Sequence, residues 1–157
     1  VNLYWPVSIG EVQLIVNWVN ERLPEPDDFN NPLAVAVMHP DKPGKIIAGA
    51  IYSSYGNGNV FFSGAIDPEG IGKMTRGDFA GIVGAPFAPP LNCRRITALV
   101  SESNKRSQSL VERLGFLHEG NLREYLKEGE VTRIYGMTRE DFLGGKYGKQ
   151  RRRREAA

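Results

Sequence analysis

Between Arg95 and Arg123 the chain passes from an apolar strand into a helix with both ends marked, then out into a second strand. No other feature restricts the fold as much. Arg95 to Val100 (Arg-Ile-Thr-Ala-Leu-Val) has the composition of a buried strand. Asn104 is a good N-cap for the helix expected over Lys105–Leu114. Gly115 stands where a C-cap glycine is favoured, and Phe116 is expected to fold back over the helix. Leu117 to Leu126 and Val131 to Met137 then alternate as two strands joined by Lys127-Glu128-Gly129-Glu130.

The first half prepares a sheet for this unit. Ile9 to Leu23 reads as a helix, with Val12, Ile15, Val16 and Val19 at helical spacing and Trp18 and Leu23 extending the stripe. Ser8 is its expected N-cap, Glu11 completes a capping box, and Pro24-Glu25-Pro26 stops it. Pro32 to Met38, Lys45 to Tyr52 and Val60 to Ile66 are strands separated by turn-forming residues, which predicts an antiparallel meander. After the loop Asp67 to Gly72, a helix is expected to begin near Thr75 with Phe79, Ile82 and Val83 on one face. Gly81 and Gly84 oppose it, and Pro86, Pro89 and Pro90 end it. The expected class is α/β, a mixed, mostly antiparallel sheet of six to seven strands with helices on both faces.

Charge and cysteine content narrow the function. The net charge of +2 comes from the end of the chain, where Lys146, Lys149 and Arg151 to Arg154 stand against Glu155 alone. Setting these seven aside leaves 14 basic and 17 acidic residues, so the body is acidic. Residues 1–143 are expected to form one domain and 144–157 a basic, disordered tail. Cys93 is the only cysteine, and His39 and His118 are the only histidines. Neither a disulfide nor a metal-ligand spacing follows, and a reducing, cytoplasmic setting is expected. No apolar run reaches membrane-spanning length, and the start lacks the layout of a signal peptide.

The run Asn104-Lys105-Arg106-Ser107, then a short helix, Leu114-Gly115-Phe116 and Glu119-Gly120-x-x-Arg123 resembles the second half of the GNAT N-acetyltransferase core. Tyr4-Trp5-Pro6, Met74-Thr75-Arg76, Pro86-Phe87, Asn92 to Arg95 and Tyr135-Gly136-Met137 resemble small GNAT proteins of phages and prophages, over roughly residues 3 to 142. The resemblance implies a splayed central pair of parallel strands, Val60–Ile66 and Arg95–Val100. Free backbone groups there would hold acetyl-CoA (or CoA) like an added strand. It implies a diphosphate at the helix start, with Thr75, Arg76, Gly77 and Asp78 as the binding turn. Ala65 and Ile66 would present backbone to the thioester end, while Asn104, Ser107 and Arg113 would contact the cofactor from the next helix. The family's usual Q/R-x-x-G-x-G/A loop is missing, and Val111 stands where many members carry an acidic tyrosine.

For catalysis the resemblance offers Asn104, with Ser63 as a proton relay and Asp67 as a base beside Glu69; Asp67 and Glu69 are also natural turn formers. Tyr125 and Tyr135 are candidates from the closing hairpin, or packing residues. Gly120 permits a bulge, and Glu119 and Arg123 can pair across the hairpin or face the acceptor. The implied partner is an amine acceptor, on a protein or a small molecule, with the chain acting as a monomer or homodimer. The rival reading is a phage factor that binds a host protein in the host cytoplasm with little or no catalysis. Nucleic-acid binding through the arginine tail ranks below both.

Overall fold

The first helix, α1 (Ile9–Asn20), starts where the sequence places it, with Ser8 Oγ accepting the Glu11 N–H at 3.2 Å. The Glu11 carboxylate reaches one residue further back than a capping box requires. It takes the Val7 N–H and the Tyr4 hydroxyl, both at 2.7 Å. Ile15, Val16 and Val19 form the buried face. They press on Gly49 so closely that a Cβ there would lie 2.8 Å from Val19 Cγ2. The helix ends at Asn20, three residues early, because the N–H groups of Arg22 and Leu23 turn back to Val19 and Asn20. The Asn20 side chain then brackets Asp27, donating to its carbonyl and accepting from its N–H. That closes the loop after α1.

The computed structural model describes residues 1–149 and 156. Its strands are β1 (Leu3–Tyr4), β2 (Leu33–Met38), β3 (Ile46–Gly56), β4 (Asn59–Ile66), β5 (Arg95–Ser101), β6 (Leu117–Arg123) and β7 (Val131–Thr138). They form one seven-stranded sheet in the order β1-β2-β3-β4-β5-β7-β6, antiparallel everywhere except between β4 and β5. The expected mixed sheet is present. Only β1 was illegible, since two residues are too few to show alternation. The bulge at Gly120 is present too, with the β6–β7 register shifting between His118 and Gly120.

Two packed layers follow from the alternation of side chains. One apolar cluster lies between α1 and the β2–β3 face. The larger one fills the opposite face beneath α2 (Arg76–Gly84), α3 (Lys105–Leu114) and α4 (Arg139–Gly144). Gly81, unfavourable in a helix by propensity, has a packing reason: a Cβ there would meet Leu3 Cδ1 at 2.3 Å. The short α4, not expected from sequence, places Phe142 in stacking contact with Phe87. Tyr147, past residue 143, is buried against Phe79. Arg151 to Arg154 lie outside the described residues. None of the described helices is long and apolar enough to cross a membrane.

Glu69, on the 3-10 turn after β4, ties that turn to the β2–β3 connection. Lys42 and Lys45 donate to its two carboxylate oxygens, and His39 Nε2 lies 3.3 Å away. His39 Nδ1 accepts the N–H groups of Asp41 and Lys42, which leaves its proton on Nε2, facing Glu69. Hydrogen bonds from Lys42 and then Lys45 hold the Glu69 carboxyl at about 2. A depressed folded-state value stabilises above the ordinary carboxylate range and is lost as pH falls towards 2. Glu69→Gln is therefore expected to lower the melting temperature at pH 7. The gap to wild type should close progressively below about pH 5, as a melting series in pH will show.

Candidate functional site

The parallel ladder between β4 and β5 comprises Asn59↔Arg95, Val60↔Ile96 and Phe61↔Thr97, and it ends there. β4 continues to Ile66 along β3, and β5 continues to Ser101 along β7, so the two strands diverge. The Asp67 N–H bonds the Ile47 carbonyl. In an antiparallel ladder this alternation turns the N–H and C=O of Gly64 and Ile66, and the C=O of Phe62, away from β3 into the gap, while the Phe62 N–H faces Thr97 at the last ladder pair. On β5 the bonds Arg139 N–H to Arg94 O and Glu102 N–H to Val131 O fix the opposite phase. Leu99 and Ser101 consequently face the gap.

Specific residues hold the arms apart. At Gly64 a Cβ would lie 2.8 Å from the Gly49 carbonyl oxygen, so only glycine lets β4 lean this closely on β3. On the other arm, buried Gln108 of α3 donates to the Ser101 carbonyl at 3.0 Å and the Glu102 carbonyl at 2.7 Å. Asn104 N–H adds a third bond, to Ser101 O at 2.9 Å. The tip of β5 is thereby fastened to α3.

The gap opens into a cavity of about 910 Å³. On the helix side its wall is apolar, formed by Met74, Phe79, Ile82, Leu110, Val111 and Leu114. On the far side it is bounded by the loop after α1 and the β6–β7 turn. A Lys127–Glu25 ion pair at 3.1 Å joins these two segments. Glu25, Asp27, Asp28 and Glu130 against Lys127 make that mouth electronegative.

Of the residues singled out from sequence, Ser63, Ala65, Ile66, Asn104 and Ser107 line this cavity together. Asn104 also caps α3, its Oδ1 accepting the Ser107 N–H at 3.1 Å, so both expected roles are compatible. The turn at the start of α2 is arranged differently from expectation. Thr75 Oγ1 accepts the Asp78 N–H, and Asp78 Oδ2 accepts the Thr75 N–H. Asp78 Oδ1 takes the Asn2 N–H at 2.7 Å, and the side chain is fully buried. Thr75 and Asp78 thus satisfy each other and the N-terminal segment instead of facing the cavity. The N–H groups of Arg76 and Gly77 remain as first-turn donors.

Two further expectations are corrected, those for Asp67 and Glu119. Asp67 does not line the cavity; its N–H pairs with β3 and its carboxylate lies 3.6 Å from Arg22 Nε. Arg113 of α3 is exposed and is not part of the cavity wall. Glu119 pairs with Arg95 at 2.7 Å instead of with Arg123, because the side-chain-free Gly136 between them leaves the path open. Tyr125 reaches the cavity wall, whereas the Tyr135 hydroxyl donates to Glu112 on α3. Gln108, Glu25 and Glu130 escaped the sequence reading. Gln108 alone carried a signal, a polar residue three positions before Val111 on the inner face of α3.

No protein-family model matches the chain, and no curated protein matches it. Solved structures do. A chimera of spermidine N-acetyltransferase SpeG from Vibrio cholerae with hSSAT is 19% identical over 92% of this chain and 100% of that one, with a TM-score of 0.68. A dodecameric spermidine N-acetyltransferase from Vibrio cholerae is 20% identical over 90% and 96%, at 0.66. A ribosomal-protein-S5-alanine acetyltransferase from Vibrio fischeri is 23% identical over 71% and 63%, at 0.59. Likeness at these identities speaks to architecture. With its seven-stranded mixed sheet and single divergent parallel pair, this chain has the GNAT acetyltransferase fold.

Proposed function

We propose that the chain is an acetyl-CoA-dependent N-acetyltransferase acting on a primary amine of a protein or small metabolite. The observation that carries this is the end of the β4–β5 ladder at Phe61↔Thr97, with the Phe62 carbonyl and the backbone groups of Gly64, Ile66 and Leu99 directed into the gap. Those groups suit the two amides of a pantetheine arm, which would bond them as an inserted strand does. The apolar helix-side wall suits its methylenes. The N–H groups of Arg76 and Gly77 would meet the diphosphate, although the Asp78 carboxylate already answers part of the positive end of α2.

Bound acetyl-CoA would supply a thioester as acyl donor. The Ile66 N–H would face the developing oxyanion. Ser63, on the same sheet face as Ala65, the face that carries α1, would relay the proton from the amine. Asn104 and Ser107 would orient the arm from α3. The solved structures of this fold cited above are named for acetylating spermidine in two cases and a ribosomal-protein alanine in the third, which fits either kind of amine.

Acetyl-CoA is expected to raise the melting midpoint of the wild-type protein, since it binds the folded state. Asn104→Ala should reduce that rise and lower acetyl transfer to a panel of amines and peptides. It should also cost about 1 kcal/mol of stability through the lost α3 cap. No midpoint change with wild type would reject the proposal.

A further inference from the structure

α2 runs into a residue that cannot complete its last turn. Gly84 and Ala85 keep helical backbone angles, φ −79° and ψ −23°, then φ −54° and ψ −44°. The next residue would therefore donate its N–H to the Ile82 carbonyl, four positions back. That residue is Pro86, which has no N–H and whose ring crowds the carbonyl. Pro86 is fully buried and Ile82 nearly so, and a carbonyl left unpaired in such a place is costly.

Tyr52 of β3 supplies the missing donor. Its hydroxyl donates to the Ile82 carbonyl oxygen at 2.7 Å, from a buried position 30 residues away in the chain. Burial raises the phenol's pKa above the ordinary tyrosine value, so it stays a donor. The Tyr52 ring also lies 6.1 Å from that of Phe62, its partner in the β3–β4 register. Ile82 on α2 and Phe62 on β4 both line the cavity, whereas Tyr52 does not. One buried side chain thus touches the helix wall and the β4 arm together. The helix it holds also presents the first-turn N–H groups of Arg76 and Gly77.

We propose that Tyr52 is a positioning residue of the cleft, its hydroxyl standing in for the N–H that Pro86 lacks and so fixing α2 against the β4 arm. The proposal rests on the acyltransferase reading for the ligand. Calorimetric titration with acetyl-CoA, beside melting curves, of wild type, Tyr52→Phe, Pro86→Ala and the double variant tests it. Tyr52→Phe removes a single oxygen and should bind the coenzyme about tenfold more weakly. Pro86→Ala should bind like wild type. In the double variant the alanine N–H can take over the Ile82 carbonyl, and affinity should return to within about threefold of wild type. A tyrosine that only filled the core would lower the melting midpoint without moving affinity. Affinity unchanged by Tyr52→Phe, or as weak in the double variant as in Tyr52→Phe, would overturn the positioning role alone. Wild-type protein that binds no acetyl-CoA would reject the acyltransferase reading, and the positioning role with it.

Discussion

Gly64→Ala is expected to lower stability by about 1–3 kcal/mol and to weaken acetyl-CoA binding more than about tenfold. The added Cβ would lie 2.8 Å from the Gly49 carbonyl oxygen, a backbone atom held in the β3 ladder. Relief requires β4 to move off β3, and the free direction is towards β5. That movement narrows the gap between the strands. Denaturant unfolding reads the first effect and calorimetric titration the second. A variant that lost stability yet bound coenzyme like wild type would show that the lean of β4 does not set the width of the cleft.

Asp78→Ala should cost about 3 kcal/mol, because it leaves two main-chain N–H donors without their charged acceptor. Those donors are Asn2, at the edge of the sheet, and Thr75, at the start of α2. The loss should therefore loosen the N-terminal segment and the helix together, visible as faster amide exchange at both. Asp78→Asn separates packing from charge. It should cost less stability, and because it takes negative charge from the positive end of α2, coenzyme affinity should not fall with it.

These two residues mark where the sequence was informative and where it was not. The α3 unit was legible to the residue, since an N-cap asparagine, an amphipathic run and a C-cap glycine agree on its limits. The strand meander was equally plain from its turns. Asn104, Ser107, Ser63 and Ile66 were singled out through the family resemblance, and all four line the cavity. Thr75 and Asp78 show the limit. The capping pattern was visible, but Asp78 also bonds Asn2, 76 residues away, and no local pattern reveals that. The same reason hid the Glu119–Arg95 pair, which depends on Gly136 of a third strand. Glu25, Lys127 and Glu130 belong to connections whose shapes are set by the elements they join. Asn20 closing the loop on Asp27 is one such contact.

The most direct test follows backbone amides during titration with acetyl-CoA. Shifts should concentrate at Gly64, Ile66 and Leu99, with smaller changes at Asn104 and Ser107. Titration to saturation without movement of the β4 and β5 amides, or with movement confined to other strands, would contradict the account.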